Sequence, residues 1–191
     1  DAFDEHDLWK DTMLLVNTDH GLLMGEHDWW AKVVTPFFQE IAHIPFWAYD
    51  PRNSNEINKK SNALAQTIDL GPTILDYFDI PLTEDMQGKA IFDFIEDDKE
   101  IRKASLYGVM GGQVNVTDGQ YVYMRATTTE DNKPLFDYTL MPTHMKNRFS
   151  PRELQEWEKV EGFGFMKGCK VMQIPTRSFP IFSAKDNPLG R

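Results

Sequence analysis

The spacing of apolar and polar positions changes along this chain, and the change falls near residue 100. Met13-Leu-Leu-Val16 is a continuous apolar run, followed at once by Asn17-Thr-Asp-His-Gly21. An apolar run of that length, closed by polar turn residues, predicts a strand over 12–18 buried on both faces. Thr35 suits an N-cap and Pro36 a first helical position, so a helix is expected over 36–42 with Phe37, Phe38 and Ile41 inward. Residues 46–49 predict a second core strand, stopped by Asp50-Pro51. Two apolar runs separated by a loop and a helix have βαβ spacing, so these strands are expected to be parallel neighbours. Asp69 as a cap, Pro72 in the first turn and Ile74, Leu75 and Phe78 on one face predict a further helix ending near Phe78. A short helix is expected over 91–95.

From Ala104 the pattern turns to short strands. Residues 105–110, 113–116, 121–126 and 135–141 have strand character, with Gly111-Gly112 and Asp118-Gly119 as turns. Ser150-Pro151 reads as the cap and first position of a helix over 150–157. Residues 162–191 are rich in Gly, Pro and aromatics and predict an irregular wrapping tail. The fold class is therefore α/β over 1–100, a parallel sheet with flanking helices. A small antiparallel sheet with a helix and the tail follows over 101–191. The acidic run 96–100 is a solvated surface at the boundary.

In open α/β sheets, ligands bind just beyond the carboxyl ends of the strands. Asp19 and His20 stand at that end, and Gly21 lets the backbone turn away. A carboxylate beside an imidazole can hold a divalent cation, and Glu26, His27 and Lys32 are further candidates on the same loop. Taken alone, Asp-His-Gly is more often the polar turn that closes a strand than a metal site, and Lys32 more often a solvated loop lysine.

The longer pattern narrows this. Asp19-His-Gly21, then Gly25-Glu-His27, then Lys32 twelve positions after His20, resembles the sulfatase branch of the alkaline phosphatase superfamily. The resemblance continues at Ile44-Pro-Phe-Trp-Ala-Tyr-Asp-Pro51, at Thr67-Ile-Asp-Leu-Gly-Pro-Thr-Ile-Leu-Asp76 and at Met86-Gln-Gly-Lys89. It implies an alkaline-phosphatase-like sheet, Asp19 and His20 as metal ligands, Lys32 as a catalytic contact to the sulfate or phosphate, and His27 as a second-shell or leaving-group residue. It further implies a C-terminal portion of a sulfate ester hydrolase. A formylglycine nucleophile and further aspartate ligands are then expected in N-terminal chain that this sequence lacks, and the isolated chain is expected to be inactive. Where many sulfatases carry Asn, this chain has His20. Oxygen ligands favour calcium, whereas imidazole suits manganese or zinc, so the metal is left open. A phosphonate monoester or phosphodiester hydrolase of the same superfamily, and a non-catalytic binding domain, are the alternatives.

Composition adds limits. The net charge of −10 provides no basic field for nucleic acid or an anionic membrane, so the expected partner is a small-molecule or glycan sulfate ester held by local cations. The single cysteine, Cys169, excludes an intrachain disulfide and is expected to be a buried thiol. Ser178-Phe-Pro180 lacks the arginine of the family's nucleophile motif. His6 and His43 read as structural, His144 as a surface loop residue, and Asn115-Val-Thr117 as a chance glycosylation pattern.

Overall fold

The computed structural model describes residues 1–32, 37–56, 59–92, 99–126, 129, 131–144 and 146–176. Asp1 caps a first short helix, α1 (Ala2–Glu5), and a 3-10 turn over Leu8–Lys10 leads into strand β1 (Leu14–Asn17). A two-residue ribbon follows, β2 (Leu23–Met24) against β3 (Trp30–Ala31). Helix α2 (Gln39–Ala42) then delivers the chain to β4 (Phe46–Tyr49). Thr35 and Pro36 lie outside the described residues. The helix begins with Phe38 extended at its N-cap, and it buries Ile41 against Leu23 with Phe37 and Phe38 packed on the pair. Each of those two aliphatic side chains contributes about 1.5–3 kcal/mol by leaving water.

β1 and β4 are neighbours, but they run antiparallel, with Leu14 opposite Tyr49 and Asn17 opposite Phe46. The expectation of a parallel pair is overturned. A parallel return needs a crossover that carries the chain back along the strand, usually a long helix. Here the only described helix between the strands is the one-turn α2. The chain re-enters beside the point where it left, with Asn17 opposite Phe46. The expected two-sided burial of β1 is also absent. Leu14 and Leu15 are half-buried, while Val16 and its partner Trp47 are 43% and 64% exposed, because β1 pairs with β4 alone among the described residues.

Helix α3 (Leu70–Tyr77) forms close to its expected position, preceded by a 3-10 turn over Thr67–Asp69, but its inward face is not the expected one. Ile74 and Phe78 are exposed, and the helix buries Pro72 and Thr73, whose hydroxyl donates to the Asp69 carbonyl. Arg52, just past β4, fastens to α3: the guanidinium donates to Asp50 and to the Asp76 carboxylate, and lies 5.0 Å from the Tyr77 ring centroid. The expected helix over 91–95 falls mainly outside the described residues, although Ile91 and Phe92 are buried.

The second half holds two antiparallel sheets. One is a meander of β5 (Ser105–Gly108), β6 (Val114–Thr117) and β7 (Val122–Arg125). At the β6–β7 turn, Asp118 Oδ1 accepts from the backbone N–H of Gln120 and Tyr121, and Gly119 takes φ +92°. The other joins β8 (Phe136–Thr139) and β9 (Glu158–Val160) to a central β10 (Val171–Pro175). β10 corrects the expectation of an irregular tail, at least to Pro175; residues 177–191 lie outside the described residues. No helix forms over 150–157. Glu153 uses its carboxylate on the Ser150 N–H and hydroxyl and on His144, and the backbone bonds there span three residues, which makes a turn. Asn115 is fully buried on β6 and donates to the Phe37 carbonyl at 3.4 Å, so the sequon-like triplet is part of the packing.

Candidate functional site

Asp19 and His20 follow β1 directly, and Gly21 turns the chain. A Cβ on Gly21 would stand 1.9 Å from the Glu40 carbonyl oxygen, and the Gly21 N–H donates to Ile41 O at 2.8 Å. The turn is therefore pressed against α2, with room for glycine only.

His20 is the centre of the cluster. Its Nδ1 lies 2.8 Å from the carbonyl oxygen of Gly21. A carbonyl only accepts, so Nδ1 carries the proton and the Nε2 lone pair is directed outward. Lys32 Nζ donates to that lone pair at 2.8 Å, and Asp19 Oδ2 is 3.3 Å from the same nitrogen. Thr18 Oγ1 donates toward Asp19 Oδ1 and the His20 carbonyl, both at 3.3 Å. Desolvation pushes the Asp19 carboxyl upward, but the adjacent His20 and the hydrogen bonds from the turn outweigh it, and the net shift is below the ordinary carboxylate value. Asp19, His20 and Lys32, dispersed over fourteen positions, are thus brought together.

His27 is not joined to them by any hydrogen bond among the described residues. Its Nε2 lies 3.1 Å from Glu40 Oε1, and its ring stacks on Phe38 with centroids 3.8 Å apart and planes 7° from parallel. The loop that carries it is conformationally costly: Gly25 has φ +117°, and His27, Asp28 and Ala31 also have positive φ. Non-glycine residues held there cost of order 1–3 kcal/mol each and cluster at functional sites. Glu26 turns inward to accept from the Met24 N–H, and that bond leads the causes that lower its pKa.

Asp19 offers an oxygen and His20 an outward imidazole nitrogen held in one tautomer by a backbone carbonyl, the usual support of a metal-bound histidine. The pair suits a borderline cation such as manganese or zinc. Among the described residues no cluster of three or more His, Cys, Asp or Glu side chains could hold a metal, so two donors here could fill only part of a coordination shell. Cys169 is exposed, contrary to the buried thiol expected, because it follows the turn at Gly168 rather than facing the core. Sequence reasoning missed Glu40 and Phe38. They stand thirteen and eleven positions from His27, and no local spacing links them to it.

Residues 25–160 match the family described as N-sulphoglucosamine sulphohydrolase, C-terminal. Among curated proteins, the chain is 28% identical over 109 residues to an arylsulfatase of Clostridium perfringens, a match covering 56% of this chain and 22% of that protein. It is 26% identical over 100 residues to an N-acetylglucosamine-6-O-sulfatase of Bacteroides thetaiotaomicron, covering 50% and 17%. Its fold is similar to the solved structure of BT4656 in complex with its substrate D-glucosamine-2-N,6-O-disulfate. That match has TM-score 0.54 and 19% identity, and covers 66% of this chain and 27% of that one. The chain spans about a fifth of the length of these curated relatives.

Proposed function

The chain belongs to the N-sulphoglucosamine sulphohydrolase C-terminal family of sulfatases, and from that premise we propose that it forms the C-terminal part of a metal-dependent hydrolase of sulfate esters. The observation that carries the reading is the convergence of Asp19, His20 and Lys32 at the end of β1. Asp19 and His20 would hold a divalent ion, which would supply Lewis-acid polarisation of the sulfate. One lone pair serves one partner, so with a cation on His20 Nε2 the Lys32 ammonium would be free for a sulfate oxygen. A cation so placed stabilises charge that grows on the sulfate oxygens. His27 carries a proton for the leaving group. The nucleophile, a formylglycine, and the remaining metal ligands come from chain outside these residues. The substrate class is a sulfated sugar, which the names of the glucosamine-directed relatives support.

The experiment compares the native protein that carries this chain with its Asp19→Ala variant, using 4-nitrophenyl sulfate and metal analysis. Metal content and turnover are expected to fall together, and the isolated 191-residue chain is expected to show no turnover. Full metal occupancy and activity in Asp19→Ala, or turnover of a phenyl phosphonate ester far above that of the sulfate, would overturn the reading.

A further inference from the structure

The structure contains a carboxylate that touches both halves of the candidate site and belongs to neither. Glu40 lies on α2, between the buried Ile41 and the segment that carries Phe38. Its backbone carbonyl is the group against which Gly21 packs, one residue after His20. Its side chain reaches the other way, to His27 Nε2 at 3.1 Å. From these contacts we infer that Glu40 is a positioning residue, which sets the tautomer of His27 and fixes its ring relative to the His20 turn. The inference rests on the role given above to His27.

The chemistry is specific. A carboxylate accepts, so His27 Nε2 carries the proton that faces Glu40; in the protonated ring Nδ1–H is then the proton given to the leaving group, and the neutral ring left behind is the Nε2–H tautomer. Stacking on Phe38 fixes the plane of the ring, and the bond to Glu40 removes the remaining rotation about it. Burial raises the Tyr107 phenol on β5 above its ordinary value, with the charge of Glu40 a smaller cause, and the buried hydroxyl has no hydrogen-bond partner among the described residues. Asn115 on β6 donates to the Phe37 carbonyl just before α2. The meander β5–β7 thus backs the segment that aligns the imidazole. Losing a hydrogen bond to a charged group lowers a step that depends on it by about 10–100-fold.

The test uses two variants and two readouts. Long-range ¹H–¹⁵N spectra of this chain report the His27 tautomer, and steady-state kinetics of the native protein on 4-nitrophenyl sulfate report its use. Glu40→Ala is expected to mix the two tautomers and to lower kcat about 10–100-fold with little change in KM. Glu40→Gln, whose amide oxygen still accepts from Nε2–H, is expected to keep the tautomer and recover part of kcat. If Glu40→Ala does not fold, Glu40→Gln carries the test through a displaced Nε2–H signal and a reduced kcat. His27 signals identical to wild type in the variant overturn the positioning and leave the sulfatase reading untouched. Altered signals with unchanged kcat overturn the part played by His27 in the reaction, and with it that of Glu40.

Discussion

Lys32 Nζ donates to His20 Nε2 at 2.8 Å, across a connection that leaves one strand and returns to its antiparallel neighbour. The ammonium occupies the nitrogen that a metal would use, and the two roles separate on mutation. Lys32→Ala is expected to leave metal content nearly unchanged while lowering kcat/KM about 10–100-fold. A hydrogen bond to a charged group contributes about 1.5–3 kcal/mol, and about 1.4 kcal/mol is tenfold. Parallel metal analysis and kinetics on an aryl sulfate check this. Loss of metal in Lys32→Ala would assign the lysine to the metal site itself.

The Asp69–Arg102 pair is expected to dominate stability. Arg102 donates to both oxygens of a fully buried carboxylate at 2.6 Å, and Gln66 N–H and Lys89 N–H complete its shell. Asp69→Asn leaves a guanidinium without its charge partner, a change that costs about 3–5 kcal/mol when such a pair is broken. Urea denaturation gives the number.

The same carboxylate predicts an acid transition. Burial pushes Asp69 upward, but Arg102 and the two N–H donors hold it below its ordinary 3.8 in the folded chain. A lowered folded pKa contributes stability that is present above pH 3.8 and lost as pH falls through the folded value. The wild-type chain should lose stability steeply below about pH 4, and Asp69→Asn should show a flatter slope there. Equal slopes would remove Asp69 from the account.

Two backbone positions flanking the site should respond in opposite directions. Gly21→Ala drives a methyl into the Glu40 carbonyl, 1.9 Å away, and is expected to cost about 1–3 kcal/mol and to displace His20. A thermal melt and the His20 ring ¹⁵N signals check it.

Ala31→Gly relieves a φ of +118°. The strain released is about 1–3 kcal/mol, and the added freedom of the unfolded chain takes back about 0.4–1, so a net gain near 1 kcal/mol is expected. A fall in stability would mean that Ala31 is comfortable as it stands.

Local chemistry was readable in the sequence where it was decided locally. The β6–β7 turn follows from Asp118-Gly119, and the place of α3 from Asp69 and from Pro72 in the first turn, whereas its buried face did not follow from Ile74 and Phe78. Asp19, His20 and Lys32 were singled out through a spacing that the fold closes up. Long-range choices were not readable. Parallel and antiparallel pairings of 12–18 with 46–49 use the same apolar runs, and only the short return through α2 decides between them. Ser150-Pro151 carries the signs of a helix start, but Glu153 bonds back to Ser150 and across to His144, which draws its pKa down to about 2 and leaves a turn. Glu40 was invisible because its two contacts come from tertiary packing.

The antiparallel ribbon also bears on how such a site diversifies. Both ends of the 18–45 connection are fastened at Asn17 and Phe46, so its length is independent of the strands that anchor it. Doubling a flexible loop adds only about 0.6 kcal/mol in closure entropy. Insertions in the exposed stretch around Trp29 and Trp30 can therefore reshape what the site admits, while Asp19 and His20 stay where β1 leaves them.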